Sequence, residues 1–194
     1  VSFSLLCDRN DGAVLDAYPK GGPEGWRYLV SERLTAEYPS GGLLTGFSPN
    51  FPDLRKLYDF VDNILDIRVV SNRVRRVILE LAPDDVEFLP LTLVDHQRDV
   101  VSRDYFIMNV VADRNVIDLE SSKVRMSHIL PEEISRVWQL TLKDDIPPEG
   151  PKVFRPTHLR GYTMVDSTIA TALTRAGVTG VKLLPANGWN GKFR

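Results

Sequence analysis

The chain has 194 residues, 43% of them apolar and 26% charged, which is the make-up of an ordinary soluble globular protein. A chain of this length buries roughly 70% of its unfolded surface and needs no disulfide or metal to hold together; its single cysteine, Cys7, excludes an intramolecular disulfide and any cysteine-based zinc cluster and suits a reducing compartment. With 24 Lys and Arg against 26 Asp and Glu, the formal charge of −2 lacks the basic excess of general nucleic-acid binders, though it leaves room for a local patch.

Residues 1–63 read as a loop-rich N-terminal subdomain. Gly21-Gly22-Pro23-Glu24-Gly25, Pro39-Ser40-Gly41-Gly42 and Gly46-Phe47-Ser48-Pro49-Asn50-Phe51-Pro52 punctuate it, with short strands expected at Phe3–Leu6 and Trp26–Val30. From 64 to 194 the pattern is firmer and predicts the core. Ile64 to Val70 reads as a strand, and Ser71 stands where an N-cap hydroxyl is wanted. Val74, Val77, Ile78 and Leu81 then fall on one helix face, and Pro83 ends the helix. Val86 to Val94 is a strand that Pro90 demotes to an edge or a kink. Tyr105 to Val111, apolar on both faces except for Asn109, suits a central strand covered on both sides. Asp113-Arg114-Asn115 reads as a turn into Val116–Glu120. In Val137–Leu142 alternation places Trp138, Leu140 and Leu142 on one face. Val153-Phe154-Arg155 follows a proline-bearing loop. Asp166 caps a last helix whose Ile169, Ala172, Leu173 and Ala176 share a face, with Gly177 at its C-terminal stop and a strand at Val181–Leu184. The whole predicts an α+β fold, a mixed or mainly antiparallel sheet with a few packed helices.

The longest uncharged run, Tyr38–Pro52, holds three Pro and three Gly, so no membrane-spanning helix is expected. No secretory leader is visible, and a chain that begins at Val1 rather than Met leaves open whether an N-terminal segment was removed. Charge is uneven: residues 1–100 carry 11 basic and 16 acidic side chains, residues 101–194 carry 13 and 10. Two solvated faces of one fold account for this; an acidic front steered toward a basic partner is the sharper alternative.

No specific catalytic constellation emerges. There is no G-x-S-x-G elbow, and His96, His128 and His158 lack any metal-ligand spacing. Asp95 and His96, adjacent on a strand, would face opposite sides. The stretch Gly188–Phe193 lacks the Ser or Thr and the helix of a phosphate loop, and Arg73, Arg75 and Arg76 read as a solvated helix face. Aromatics crowd the first 60 residues, as a small core beneath loops or as exposed interface anchors.

The segments Val69–Ser71 with its helix, Asp85–Leu91, Asp104–Val110, Asn115–Ser122, Val153–Arg155, Thr168–Ala170 and Ala176–Val181, in that order, resemble a bacterial immunity-protein family typified by a myxobacterial member and first described as a domain of unknown function. The resemblance spans about residues 64–185; the first 60 residues match less well. It implies an antitoxin-like protein of bacterial polymorphic toxin systems. Such a protein is no enzyme and uses no cofactor or metal; it works in the cytoplasm and covers the active site of a cognate toxin encoded by an adjacent gene. No nucleic acid or membrane is expected as a partner. Phe106, Asn109, Leu119, Phe154, Gly177 and Gly180 match as fold-defining positions rather than as binding residues, with Asn109 expected to satisfy a neighbouring backbone group.

Partner choice is then expected outside the core, on Asp8, Asp11, Asp16, Glu24, Trp26, Tyr38 and Phe47, with Glu32 and Glu37 adding charge. The competing readings are a hydrolase that assembles His128 or His158 with an Asp, and a structural component of a secretion apparatus.

Overall fold

The structure, a computed structural model, describes residues 2–192. In chain order the elements are β1 (Phe3–Cys7), β2 (Val14–Leu15), a 3-10 turn (Gly25–Leu29), β3 (Leu43–Gly46), β4 (Phe60–Asn63), β5 (Val69–Ser71), α1 (Asn72–Leu81), β6 (Val86–Val94), β7 (Val100–Val110), β8 (Asp113–Arg114), β9 (Lys123–Met126), β10 (Ile134–Gln139), β11 (Val153–Pro156), β12 (Met164–Asp166), α2 (Ser167–Arg175) and β13 (Lys182–Pro185). Strand dominates helix, and both larger sheets mix parallel and antiparallel pairs, so the protein is broadly α+β.

A six-stranded sheet runs β2-β4-β5-β7-β6-β3. Its ends meet through a bridge between Leu15 and Phe47, and the Ser48 amide donates to the Val14 carbonyl at 2.7 Å, so the sheet nearly closes into a barrel. A five-stranded sheet runs β13-β1-β12-β11-β8, and β9 and β10 form a separate hairpin. Strands β1, β3 and β4 each pair with a strand from beyond residue 63.

Alternation along the strands sorts the core into three layers. Val61, Val69, Leu89, Leu91, Leu93 and Ile107 point into the barrel around Tyr28, Leu34, Tyr38 and Phe47. Their strand neighbours Phe60, Val70, Val86, Met108 and Val110 point outward, onto Val74 and Ile78 of α1, Ile169 and Leu173 of α2, and Leu6, Val153 and Val165 of the five-stranded sheet. That sheet's far face, with Phe3, Leu5, Phe154 and Met164, packs on Val116, Ile134, Val137, Leu140 and Trp189. Residues one apart in a strand therefore belong to different cores, which fixes the register.

The helices form where their sequence places them. Asp166 accepts from the Ile169 amide at 2.9 Å, and α2 stops with the Val178 amide on Leu173 O and the Gly177 amide on Thr174 O. That double hydrogen bond needs a left-handed residue, and Gly177 has φ +62°. Ser71 precedes α1 as expected, but its hydroxyl donates to Asp59 Oδ1 at 2.6 Å instead of capping the helix. Asp59 also accepts from the Thr179 amide and hydroxyl, so one carboxylate joins the start of α1 to the stretch after α2.

Several local expectations are corrected. Ile64–Val70 is mostly the connection between β4 and β5, with Asp66 at φ +57°. Trp26–Val30 is largely a 3-10 turn rather than a strand. Pro90 lies within a continuous β6 that has a neighbour on both sides. It is tolerated because pairing with β3 begins only at Leu91, while the Pro90 carbonyl accepts from the Tyr38 hydroxyl. Asp113–Arg114 pairs in parallel with β11 instead of turning. Two irregularities in β10 break its alternation, so Val137 points inward and Trp138 outward, at 48% exposure.

Candidate interaction surface

The segment 24–38 crosses one side of the barrel, and its backbone is tied down from beneath. The Arg27 amide donates to Glu24 O at 2.9 Å and opens the 3-10 turn. Tyr28 points into the core, where its ring stacks on Tyr18 at 5.7 Å. Its carbonyl accepts from Arg155 Nη2 at 2.7 Å; the same guanidinium donates to Val110 O at 3.2 Å and Arg160 O at 3.0 Å. Burial, with some repulsion from Arg68, pushes the Arg155 guanidinium down to about 10, which still leaves it charged at neutral pH. Three carbonyls hold a buried cation, and the cation ties the 3-10 turn to the end of β7 and to the segment after β11.

A second anchor lies at residues 32–35. The buried Glu87 carboxylate of β6 accepts from the Leu34 amide, from the Thr35 amide at 3.3 Å and hydroxyl at 2.6 Å, and from Asn109 Nδ2 at 2.8 Å. Asn109 also donates to Glu32 O at 2.7 Å, so it does satisfy a backbone group. Trp26 stands on this pinned segment with 62% of its surface exposed.

The charge around it is largely paired. Arg27 bridges Glu32 at 2.5 Å and Glu37 at 2.6 Å. Its hydrogen bonds hold both carboxyls below the usual carboxylate range, and the two carboxylates, Glu37 foremost, raise the guanidinium in turn. Glu24 is exposed, and the Ser31 hydroxyl donates to Asp113 at 2.5 Å.

Of the seven residues expected to meet a partner, Glu24 and Trp26 share this surface. Asp8 is buried and paired with Arg68 at 3.2 Å. Asp11 lies elsewhere, where the Tyr58 hydroxyl, donating at 2.6 Å, holds it below the usual range. Asp16 and Phe47 line a cleft of about 450 Å³ beside the barrel seam, with Leu44, Asp95 and His96. Tyr38 and Phe47 are only 7% and 6% exposed, so of the two readings open to the N-terminal aromatics these two follow the one that places them in a core beneath loops and not the one that makes them exposed anchors. The nearly closed sheet has to be filled, and these rings fill it.

The three histidines do not converge. His96 Nε2 lies 3.0 Å from Ser48 O and His158 Nδ1 lies 2.7 Å from Glu132 O. Among the described residues no three His, Cys, Asp or Glu come together to hold a metal, and no helix is long and apolar enough to cross a membrane.

Sequence reasoning missed the outer face of the β9–β10 hairpin, where Lys123, Arg125, Arg136 and Trp138 are exposed. The alternation Lys123-Val124-Arg125-Met126 is the one local signal for it, a strand with a cationic side and an apolar side.

No curated protein matches the chain. A family model, described as Immunity protein family (Imm11), matches residues 19–188, which extends the resemblance back through the segment that carries Trp26. With most of its length matched, the chain belongs to the Imm11 immunity protein family.

Proposed function

We propose that this protein neutralises a cognate bacterial toxin by binding it and covering its active site, with the Trp26 surface at the centre of the contact. Membership of an immunity family supports the first part. The second rests on one observation, a 62% exposed tryptophan on backbone that buried Glu87, Asn109 and Arg155 hold in place. An aromatic anchor ordered before binding loses little entropy on docking, and a few such anchors carry most of an interface of ~800 Å² per partner. Glu24, Glu32 and Glu37 supply an acidic rim that steers a basic toxin, weakened by the Arg27 pairing. The toxin is the product of an adjacent gene in a polymorphic toxin system, and protection takes place in the cytoplasm of the producer. Neutralisation of this kind uses no cofactor and no reaction at the immunity protein.

Co-expression with the adjacent gene's product tests the proposal. The two should co-purify, the toxin should lose activity, and Trp26→Ala should speed dissociation by about tenfold or more. Glu24→Lys should chiefly slow association and flatten its salt dependence. A toxin that neither co-purifies nor loses activity would remove the toxin reading. Unchanged rates in Trp26→Ala, with hydrogen-exchange protection confined to residues beyond 100, would move the contact off this surface.

A further inference from the structure

The hairpin face opposes the Trp26 surface in chemistry. Neither β9 (Lys-Val-Arg-Met) nor β10 (Ile-Ser-Arg-Val-Trp-Gln) contains a carboxylate. Arg125 and Arg136 stand opposite each other in the ladder. Like charges so placed cost stability. Arg136 lies over the Trp138 ring at 5.1 Å, and Arg125 Nε reaches Ser135 Oγ at 3.4 Å. The ion pairs among the described residues join Arg27, Arg68, Arg73 and Arg160 to acids, and none of them includes Lys123, Arg125 or Arg136. The backbone beside them is unpaired as well, because among the described residues the hairpin is a sheet of two strands and β9 has no second neighbour. At its tip the Ser127 hydroxyl accepts from the Ile129 and Leu130 amides, which fixes a turn holding those side chains 90% and 61% exposed.

We propose that this face binds an acidic, extended segment of a partner protein, which adds as a strand beside β9. Charge complementarity selects the occupant. Lys123 and Arg125 are two residues apart on one side of β9, about 7 Å along the strand. Carboxylates at every second residue of an added strand repeat at the same interval, and Arg136 contributes a third cation across the ladder. The open edge supplies backbone pairing and the cations supply selectivity, the usual division of labour in strand addition. Trp138 and the Ile129–Leu130 tip give the segment apolar contacts. The simpler role for such cations is to keep the edge from pairing with a second copy. That role predicts no affinity for an acidic peptide. The proposal goes beyond the toxin reading and does not depend on what Trp26 meets.

The test is fluorescence anisotropy of a labelled peptide about ten residues long, alternating Glu and Val, titrated with the full chain. Binding is expected that weakens with added salt, slows hydrogen exchange at 123–126, and falls about tenfold or more in Arg125→Glu/Arg136→Glu. Lys123→Glu, at the start of β9, provides the same readout from a single exposed site. An alternating Lys and Val peptide should not bind, and alternate N-methylation of the acidic peptide should cost about tenfold by blocking the backbone ladder. No binding of the acidic peptide, undiminished affinity in the variants, or equal affinity of the N-methylated peptide would each overturn the proposal. So would duplex DNA binding more tightly than the peptide with the same loss in Arg125→Glu/Arg136→Glu, because the face would then read a phosphate backbone.

Discussion

The Trp26 turn and the β9–β10 hairpin each present one tryptophan among charged side chains, and they are built in opposite ways. At the turn, Arg27 is shared between Glu32 and Glu37, and the backbone hangs on a buried carboxylate, a buried amide and a buried guanidinium. At the hairpin, two arginines stand beside each other with no acid paired to them among the described residues, on a two-stranded sheet whose inner face alone joins the core. Formal charge therefore misleads in both places. The acidic region is partly neutralised by its own arginine, and a face that amounts to only part of a mild positive excess is the one with free charge to offer. An interface can be prepared by rigidity or by unmet charge, and this chain carries one surface of each kind.

Removal of the anchor beneath the turn should break the comparison most strongly. Glu87→Leu leaves the Leu34 and Thr35 amides and Asn109 without their buried acceptor. A loss of about 2–4 kcal/mol is expected in urea denaturation. Hydrogen exchange should rise at 27–38 and stay unchanged at 123–126; a uniform rise would show that the two regions share one anchor.

Acid should separate the regions next. Arg27 depresses the carboxyls of Glu32 and Glu37. A depressed acid contributes stability that is present above its unfolded pKa and is lost as pH falls through the folded one. Protection factors at 27–38 should therefore decline from about pH 4.3 downward. Those at 123–126, in a strand whose charges are Lys and Arg, should hold over the same range, and equal decline would cancel the distinction.

A smaller effect of opposite sign is expected at the hairpin. Arg125→Glu replaces a like-charge pair with an attractive one and should stabilise the protein by about 0.2–1 kcal/mol in the same denaturation experiment. A loss of stability would mean that the guanidinium packs rather than repels. Smallest is Trp26→Ala, which should shift stability by no more than about 0.5 kcal/mol, because the ring is mostly solvated. A larger loss would make Trp26 a structural residue and remove it as an anchor.

The parts of the fold legible in the sequence are those decided within one turn or one strand. Asp166 at one end and Gly177 with Val178 at the other bracket α2 with hydrogen bonds to residues three to five away, and Val74 and Ile78 mark the buried face of α1 by spacing alone. Tyr105–Val110 reads as a doubly covered strand because its alternate residues enter two different cores. The Imm11 family is legible for the same reason, since the matched segments are largely such elements.

Tertiary structure alone decided which aromatics face outward and which charges are free. Trp26, Tyr38 and Phe47 sit in similar Gly- and Pro-rich surroundings, yet one is exposed and two fill the barrel, because the Leu15–Phe47 closure lies far outside any local window. Trp138 shares the alternation of Leu140 and Leu142, and only the irregular pairing of β10 with β9 turns it to solvent. Whether a charge is spent depends on what folds against it. Glu87 meets Leu34 across 53 positions, while Arg125 meets another arginine across the hairpin. A linear sequence records which side chains are charged; it does not record the long-range register that pairs some of them and leaves others exposed.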